Sequence, residues 1–480
     1  MIFSSASPYI TNTLEIMKLS KYRRSTLLLA GCLSLGLVLQ AQTKKRLIDE
    51  VNPFIGTTNY GTTNPGAVLP NGLMSVTPFN VMGSKEYNKT DKDDRWWSTP
   101  YTAENKFFTG FSHVNLSGVG CPELGSILIS ASSGELDVDY KHYGSPMSRE
   151  SAKPGYYRTT LDKYQIQAEV TATLRSALVS FTFDKGGKSH ILVNLGQGLT
   201  NESGATVRFL NDSTIVGSKL MGTFCYNPQA VFNQYFAIRI SRRAPQAGYW
   251  KMQPAMHGVE AEWDKDNGKY KLYPTYRREM SGNDVGVWFS FDTKPGEKIY
   301  VQTGVSFVSE QNALLNLNTE QPTLDFAATR AKAEEAWEKA LSVIEVEGGT
   351  PEERTVFYTS LYHLQIHPNI LQDVNGEYPQ MDSLKVAKTS HDRYTVYSLW
   401  DTYRNVHPLL SLLYPRKQLA MVQTMLDMYK DDIKHQNAQE RERMKDAQAT
   451  LQTIYNGVIN GSIEKSSWTP EMENQIAKLE

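Results

Sequence analysis

Residues 325–341 read DFAATRAKAEEAWEKAL, and at this segment the spacing of apolar side chains changes along the chain. Ala333, Trp337 and Leu341 recur every fourth residue in a stretch rich in Ala, Glu and Lys, which is the pattern of an amphipathic helix. Upstream, short runs such as residues 177–183, ALVSFTF, are rich in β-branched and aromatic side chains and are separated by clusters of Gly, Asn, Asp and Pro. The sequence therefore predicts a β-rich region followed by a helical one.

The 480 residues are long enough for more than one domain. Residues 50–323 predict a large N-terminal β-sandwich, because many short strands with regular turn signals are typical of that architecture. A linker helix at residues 324–348 follows it. Thr350, Pro351 and Glu353 then provide an N-cap, a proline at the first helical position and a glutamate three residues after the cap, which predict the start of a second helix.

Residues 349–430 predict the beginning of an all-α domain. We expect its first helix to turn Phe357 and Leu361 inward, and another helix to follow Pro415. Charged and amide side chains dominate the start of residues 431–480, which predict a polar helical tail. The predicted fold class is thus multidomain, β and then α.

The charge of the chain is nearly balanced, with 50 Lys and Arg against 51 Asp and Glu. A protein without a basic surplus does not attract polyanions to its whole surface, so we expect no nucleic acid as a partner. The sequence also lacks the general motifs for metal binding, nucleophilic catalysis and phosphate binding. Its function must therefore be sought in longer strings of residues.

For residues 1–41, the sequence predicts an over-extended start of the reading frame followed by a secretory signal at residues 17–41. In this signal, basic residues precede an apolar run, and small Ala41 follows the run. The apolar run is too short to span a membrane comfortably. We therefore predict export to the periplasm or cell surface, and N-terminal sequencing of the exported protein should begin at Gln42. A lipid anchor at Cys32, in the string LAGC, is the alternative.

Four segments with unusual composition stand out. Residues 51–57, VNPFIGT, lead into residues 64–74, NPGAVLPNGLM, where the density of Gly and Pro indicates a loop shaped by what it packs on or binds. Residues 110–120, GFSHVNLSGVG, place His113, Asn115 and Ser117 on one face of an extended stretch. Residues 394–404, YTVYSLWDTYR, place a carboxylate and a guanidinium among four aromatic side chains.

In this order, these segments resemble the bacterial family of exo-acting α-mannosidases known as glycoside hydrolase family 92, over about residues 51–429. The resemblance implies an N-terminal β-sandwich of the supersandwich type, joined by linker helices to an (α/α)6 barrel, with the active site between the two. It also implies inverting hydrolysis of α-mannosides in mannose-containing glycans. A calcium ion, which requires hard oxygen ligands, is implied as the cofactor.

The resemblance assigns substrate-binding roles in both predicted domains. Asp401 matches the family aspartate that hydrogen-bonds hydroxyls of the terminal mannose, and an ionised carboxylate suits this role because it accepts several hydrogen bonds. A helix N-cap is the structural alternative for Asp401. The other residues that shape the same pocket or enter it from the sandwich are Trp400, Arg404, Phe54, Ile55 and Gly56.

Three further residues are candidates for substrate contact. His113 matches the first histidine of the family string HTHLSG, but Asn115 stands in place of the second, so a buried histidine bonded to the backbone is the alternative. Trp96 and Trp97 lie in a loop rich in Lys and Asp, where an exposed indole is able to stack on a sugar face. Anchoring of that loop to the sandwich is the alternative for these tryptophans.

The general acid, the general base and most calcium ligands of the family lie in motifs that we do not find beyond Tyr429. A barrel of twelve helices needs about 200 residues, whereas about 130 follow Thr350. We therefore expect an incomplete barrel without catalytic carboxylates, and an inactive chain. A non-catalytic mannoside-binding module is the alternative function, and a structural protein of the envelope is a weaker one because of the active-site strings.

Overall fold

The structure is a computed structural model, and it describes most of the chain after the predicted signal. The described residues are 45–58, 61–81, 98–118, 120–121, 123–199, 203–222, 231–253, 268–381, 385–432 and 438–459. Cys32, Ala41, Trp96 and Trp97 lie outside them. All elements below belong to the unit that begins at Leu47.

Two antiparallel sheets form the β-rich region and confirm the predicted sandwich. The eight-stranded sheet contains, in spatial order, β1 (Ala67–Val68), β2 (Ser75–Phe79), β4 (Gly110–Asn115), β5 (Leu124–Ser133), β10 (Gly187–Asn194), β17 (Val285–Thr293), β14 (Gln246–Met252) and β15 (Tyr270–Tyr273). The ten-stranded sheet contains β16 (Met280–Gly282), β11 (Ser203–Asn211), β12 (Thr214–Met221), β13 (Phe232–Ile240), β18 (Glu297–Ser306), β9 (Ser176–Phe183), β8 (Ile166–Ala172), β7 (Tyr156–Leu161), β6 (Ser145–Lys153) and β3 (Phe107–Phe108).

The two sheets enclose an apolar core. Val179 and Phe181, alternate residues of β9, belong to the same buried cluster as Ile191 and Val193 of β10. The rings of Phe111 on β4 and Phe181 lie 6.2 Å apart. Because side chains alternate between the two faces of a strand, one face of each sheet points into this core.

A 3-10 helix precedes the sandwich, one short helix interrupts it, and the other helices and short strands follow it. The helices are the 3-10 helix Leu47–Glu50, α1 (Tyr140–Tyr143), α2 (Glu310–Glu320), α3 (Phe326–Leu341), α4 (Pro351–His363), α5 (Leu399–Thr402), α6 (Val406–Leu413), α7 (Pro415–Asp432) and α8 (Ala438–Ile459). Two small sheets pair β19 (Asn369–Ile370) with β22 (Tyr394–Thr395) and β20 (Glu377–Pro379) with β21 (Val386–Lys388).

The local helix signals are confirmed. Asp325 caps α3 by accepting a hydrogen bond from Ala328 N at 2.9 Å, and Thr350 and Glu353 form the predicted capping box of α4. The buried residues of α3 are Ala333, Trp337 and Leu341. A helix also begins at Pro415, as predicted.

The predicted inner face of α4 is partly wrong. Phe357 is 36% exposed, whereas Tyr358 and Tyr362 are fully buried. Tyr362 packs its ring 4.5 Å from that of Trp337, so the contact with α3 selects the buried face. Tyr358, the residue after Phe357, therefore occupies the core position that was predicted for Phe357.

Helix α2 lies within residues 50–323, which we had predicted as β structure throughout. Ser309 caps it by accepting from Asn312 N at 3.1 Å. Gly304 of β18 allows the helix to lie directly on the sheet, because a Cβ at this position would be only 2.4 Å from Ala313 O. The strands at residues 369–395 were likewise not predicted, and the proposed domain boundaries stay predictions.

Cys121 is disulfide-bonded, and the other two cysteines lie outside the described residues. In the part of the chain that the structure describes, no helix is both long and apolar enough to cross a membrane.

Candidate active site

The turn that contains Phe54, Ile55 and Gly56 is braced by two threonine side chains. Thr57 Oγ1 donates to Phe54 O at 2.8 Å, and Thr63 Oγ1 donates to Ile55 O at 2.9 Å. Gly56 has a φ of +84°, and a Cβ there would lie 2.6 Å from Thr63 Oγ1, so the position requires glycine. This 54–56 turn therefore presents its exposed Ile55 side chain from a well-defined backbone.

A largely buried carboxylate, that of Glu150, is linked to the 54–56 turn through Tyr101. The ring of Phe54 lies 6.4 Å from that of Tyr101, whose hydroxyl donates to Glu150 Oε2 at 2.7 Å. Tyr157 donates to the same oxygen at 2.8 Å, and Lys106 Nζ lies 2.5 Å from Glu150 Oε1. Burial, reinforced by the charge of Glu150, raises the pKa of Tyr101 above its usual range, so this hydroxyl stays a donor. The network fixes the surface on which Phe54 rests.

Asp401 lies on the exposed side of the short helix α5. Ser398, in the left-handed region with φ of +38°, occupies the N-cap position, so Asp401 is not the N-cap that we considered as an alternative. The Ser398 hydroxyl instead donates to Asp401 Oδ2. Trp400 is 64% exposed, and the guanidinium carbon of Arg404 lies 5.9 Å from its ring centre and 4.4 Å from that of Tyr403. Asp401, Trp400 and Arg404 thus form one exposed group.

Partly buried hydrogen bonds hold the segment that carries this group. Tyr397 OH donates to Met421 O of α7 at 3.0 Å, and Thr402 Oγ1 donates to Tyr397 O at 3.1 Å. The ring of His407 on α6 stacks on Tyr397 with a centroid distance of 6.4 Å. Burial raises the pKa of Tyr397 above its usual range. The exposed acidic and aromatic side chains therefore project from a segment fixed by α6 and α7.

The glycine- and proline-rich loop of the sandwich is bound to the helical region. Asn71, with φ of +55°, donates from its backbone N to Gln365 O at 2.7 Å and from Nδ2 to Pro368 O at 2.7 Å. Lys417 Nζ of α7 donates to Asn71 Oδ1 at 2.7 Å and to Gln365 Oε1 at 3.0 Å. Burial lowers the pKa of Lys417 to about 8. Residues 64–74 are thus shaped by what they pack on.

His113 lies inside the sandwich. Its Nδ1 donates to Ile127 O at 2.7 Å, and within the described residues its buried Nε2 has no partner. Burial lowers the pKa of His113 to about 4, so the ring is neutral at pH 7. These are the contacts of a buried histidine bonded to the backbone, and its role in substrate binding stays a prediction.

The strand that contains His113 ends at Asn115, after an irregular register and a φ of +59° at Val114. It therefore does not continue to Ser117 as predicted.

His367 joins a sandwich loop to the helical region, and the sequence did not indicate this role. Its Nε2 accepts a hydrogen bond from Ser117 N at 3.1 Å, and its Nδ1 lies 3.1 Å from Asn369 Oδ1. Since Nε2 accepts, Nδ1 carries the proton and donates to Asn369. Burial lowers the pKa of His367 to about 4, which agrees with this neutral form. No sequence pattern around the His-Pro-Asn string indicates this contact.

The sandwich loops and the helical region meet around residues 365–370. β19 in this segment pairs with β22, which ends three residues before Ser398. Among the described residues, however, no hydrogen bond, ion pair or ring contact joins the 54–56 turn to Trp400, Asp401 or Arg404. Trp96 and Trp97 lie outside the described residues, and their assigned role stays a prediction.

The described residues do not fit the implied calcium ion. No group of three or more His, Cys, Asp or Glu side chains suited to a metal occurs in the parts of the chain that the structure describes. Within the described residues, the side-chain hydrogen bond of Asp401 is the one from the Ser398 hydroxyl, whereas calcium requires six to eight oxygen ligands. We therefore derive no step through a metal.

Two family models match the chain in succession. The model of the glycosyl hydrolase family 92 N-terminal domain matches residues 50–306, and that of the glycosyl hydrolase family 92 catalytic domain matches residues 312–463. The first match ends where β18 ends. The second continues beyond residue 431, where we had predicted that the resemblance stops.

Solved structures and curated proteins agree with these matches. The chain is similar to a family 92 α-mannosidase from Bacteroides thetaiotaomicron, which is also solved with mannoimidazole: the identity is 31%, the TM-score is 0.69, and 80% of this chain and 50% of that chain are covered. An inverting mannosidase from the same organism, at 24% identity and a TM-score of 0.64 over 82% of this chain and 49% of its own, shows the same fold. A protein of Arthroderma benhamiae described as an uncharacterized secreted glycosidase is 27% identical over 406 residues, 78% of this chain and 48% of its own length. The chain thus spans about half the length of these relatives.

Proposed function

This chain belongs to glycosyl hydrolase family 92, and on that basis we propose that the whole protein is an exo-acting α-mannosidase that removes terminal mannose from mannose-containing glycans. The observation that carries the proposal is the similarity to the Bacteroides α-mannosidase, at 31% identity over 80% of this chain. The two parts of the chain that match the family contact each other where the sandwich loops at Asn71 and Ser117 meet residues 365–370, and this contact supports the proposal.

The exposed group formed by Trp400 and Asp401 of α5 and by Arg404 supports a role in sugar binding. The Asp401 carboxylate accepts from Ser398 through one oxygen, and its remaining lone pairs are available to accept hydrogen bonds from pyranose hydroxyls. Such hydrogen bonds to an ionised acceptor are stronger than neutral ones. Trp400 presents an exposed ring, on which the C–H face of a sugar is able to pack. In this proposal Arg404 donates to the same sugar from its position over Tyr403.

The described residues supply binding groups rather than the catalytic pair in this proposal. Inverting hydrolysis requires an acid and a base about 6.5–9.5 Å apart, with a water between one of them and the sugar. We infer that these carboxylates, together with the oxygen ligands of the calcium ion, belong to parts of the whole protein outside the described residues. The chain alone is accordingly expected to bind mannosides weakly and to leave them intact.

Export of the protein forms part of the proposal. The basic residues and the apolar run of residues 17–41 support a secretory signal, and the relative from Arthroderma is described as secreted. We propose the periplasm or the cell surface as the site of action.

Replacement of Asp401 by Ala tests the proposed function. In the whole protein we expect this substitution to lower kcat/KM for an aryl α-mannoside, assayed with calcium, by about 100-fold, because the lost charged hydrogen bonds contribute ~2–3 kcal/mol. Asp292→Ala is the matched control, since Asp292 is exposed at the far end of β17. We expect its kcat/KM to stay within about twofold of the original protein.

Three outcomes would each contradict a part of the proposal. An unchanged kcat/KM in the Asp401→Ala variant would show that Asp401 does not belong to the active site. A whole protein that binds mannose through Asp401 but does not hydrolyse any α-mannoside would instead favour the non-catalytic binding module. Hydrolysis by the chain alone, abolished by Asp401→Ala, would show that it contains catalytic carboxylates that we did not identify.

A further inference from the structure

An open pocket with a volume of about 280 Å³ lies at an edge of the sandwich that the proposed function does not use. Its lining comes from the end of β11, the connection before β14 and the segment after β15. In the eight-stranded sheet, β14 is five strands away from β2, whose neighbouring loops form the candidate active site. With neighbouring strands 4.7–4.9 Å apart, this is a separation of roughly 24 Å. The pocket is therefore a separate place on the molecule.

A guanidinium group without a counter-charge lines this pocket. Arg277 donates from Nη1 to Pro274 O at 2.9 Å and to Tyr276 O at 3.0 Å, and from Nη2 to Ala247 O at 3.0 Å. Its guanidinium carbon lies 5.0 Å from the centre of the Phe209 ring. Carbonyl oxygens orient the group but do not neutralise it, and among the described residues Arg277 forms no ion pair. It is a fixed positive charge at the pocket wall.

A second guanidinium group faces the same pocket. Arg243 forms an ion pair through Nε with Asp212 Oδ2 at 2.8 Å, and no partner of its two Nη groups occurs in the described parts of the chain. Among the described residues of the pocket lining, Asp212 is the one carboxylate, so these residues carry two positive charges against one negative charge. A guanidinium held through Nε keeps its paired Nη donors for bidentate contact with an oxyanion.

We propose that this pocket is an anion-binding site that takes a phosphate or carboxylate group, either free or carried by a sugar. An oxyanion between the two guanidinium groups offsets the excess positive charge and accepts charge-assisted hydrogen bonds from Arg243. Aromatic surface lies beside the charges, because Tyr276 is 40% exposed and its ring packs 6.0 Å from that of Tyr249. This surface provides a place for the ring of a sugar that bears the anionic group.

Calorimetric titration of the purified protein tests the site with four ligands: a hexose 6-phosphate, a hexuronate, inorganic phosphate and a neutral hexose. We expect saturable binding of the anionic ligands at the pocket, and no such binding of the neutral hexose there. Arg243→Gln and Arg277→Gln should each weaken binding of the hexose 6-phosphate at least tenfold. Arg242→Gln is the matched control, because Arg242 pairs with Glu297 outside the pocket and its replacement makes the same change in net charge.

The ligand comparison separates the two sources of the anion. A hexose 6-phosphate that binds at least tenfold more tightly than inorganic phosphate supports a sugar-borne group, and equal affinities support a free anion. Failure of all anionic ligands to bind, or an equal loss of affinity in Arg242→Gln, would overturn the proposal. Because Arg277 also binds three backbone carbonyls, Arg243→Glu serves as the deciding variant if Arg277→Gln does not fold. The readout is binding alone, so the result is independent of α-mannosidase activity.

Discussion

Replacement of Trp337 by Ala is expected to lower the free energy of unfolding by about 3–5 kcal/mol. Trp337 is fully buried on α3, and its Nε1 donates to Val68 O of β1 at 2.6 Å. Its ring lies 4.5 Å from that of Tyr362 on α4. The substitution removes a large apolar side chain from a buried cluster and leaves a strand carbonyl without its donor. It therefore weakens the contact between the sandwich and both helices at once.

Denaturant unfolding followed by circular dichroism measures this loss. Trp400→Ala is the matched control, because Trp400 is 64% exposed and its replacement should change the free energy of unfolding by less than about 0.5 kcal/mol. Trp337→Phe separates the two causes, since it keeps an aromatic ring but loses the donor to Val68. Similar losses for Trp337→Ala and Trp400→Ala would contradict the role of Trp337 in joining the two parts.

Replacement of Arg175 by Met is expected to cost about 3–5 kcal/mol of stability, because it leaves a buried carboxylate unpaired. Arg175 Nη1 lies 2.8 Å from Glu320 Oε1, and the two side chains are only 9% and 12% exposed. Arg175 also donates from Nε to Gln372 O at 2.6 Å. Glu320 ends α2 and accepts from Thr173 Oγ1, so one ion pair joins the β8–β9 turn, α2 and the helical region.

A double-mutant cycle with Glu320→Gln checks the second prediction. The double variant should lose less stability than the sum of the single variants, because it no longer contains a buried unpaired charge. Arg243→Met is the control for a surface pair: the side chains of Arg243 and Asp212 are 80% and 58% exposed, and exposed pairs contribute about 0–1 kcal/mol. Additive losses in the cycle would show that Arg175 and Glu320 do not act as a pair.

The errors of the sequence analysis have identifiable physical causes. Helix α2 was missed because polar side chains occupy its buried face, where they disturb the apolar spacing. Asn312 and Asn316 donate to the two carboxylate oxygens of Asp373 at 2.8 and 2.6 Å. Their partner lies about sixty residues later in the chain, and no local pattern marks it. On α4, Phe357 and Tyr358 are equally suited to a core by type, and only the position of α3 decides between them.

For much of the candidate site, the sequence predicted which residues take part but not how they are arranged. The resemblance to family 92 identified Asp401, Trp400 and Arg404, and the structure places them in one exposed group on α5 and just after its end. The sequence did not indicate that Ser398 occupies the N-cap position of that helix, because a non-glycine residue with φ of +38° is not expected from local preference. His367 was not identified at all, because its partner Ser117 is 250 residues away.

The amino-acid sequence by itself determined the order of β and α regions, the starts of α3, α4 and α7, and the family to which the chain belongs. These features depend on side-chain spacing and on capping hydrogen bonds between residues three or four positions apart. Only the tertiary structure decided which face of α4 is buried, that Asp401 is exposed, and that Lys417 holds Asn71 across 346 residues. The physical reason is that such contacts form between segments whose positions are set by packing of the whole core, and this packing leaves no periodic signal in either segment.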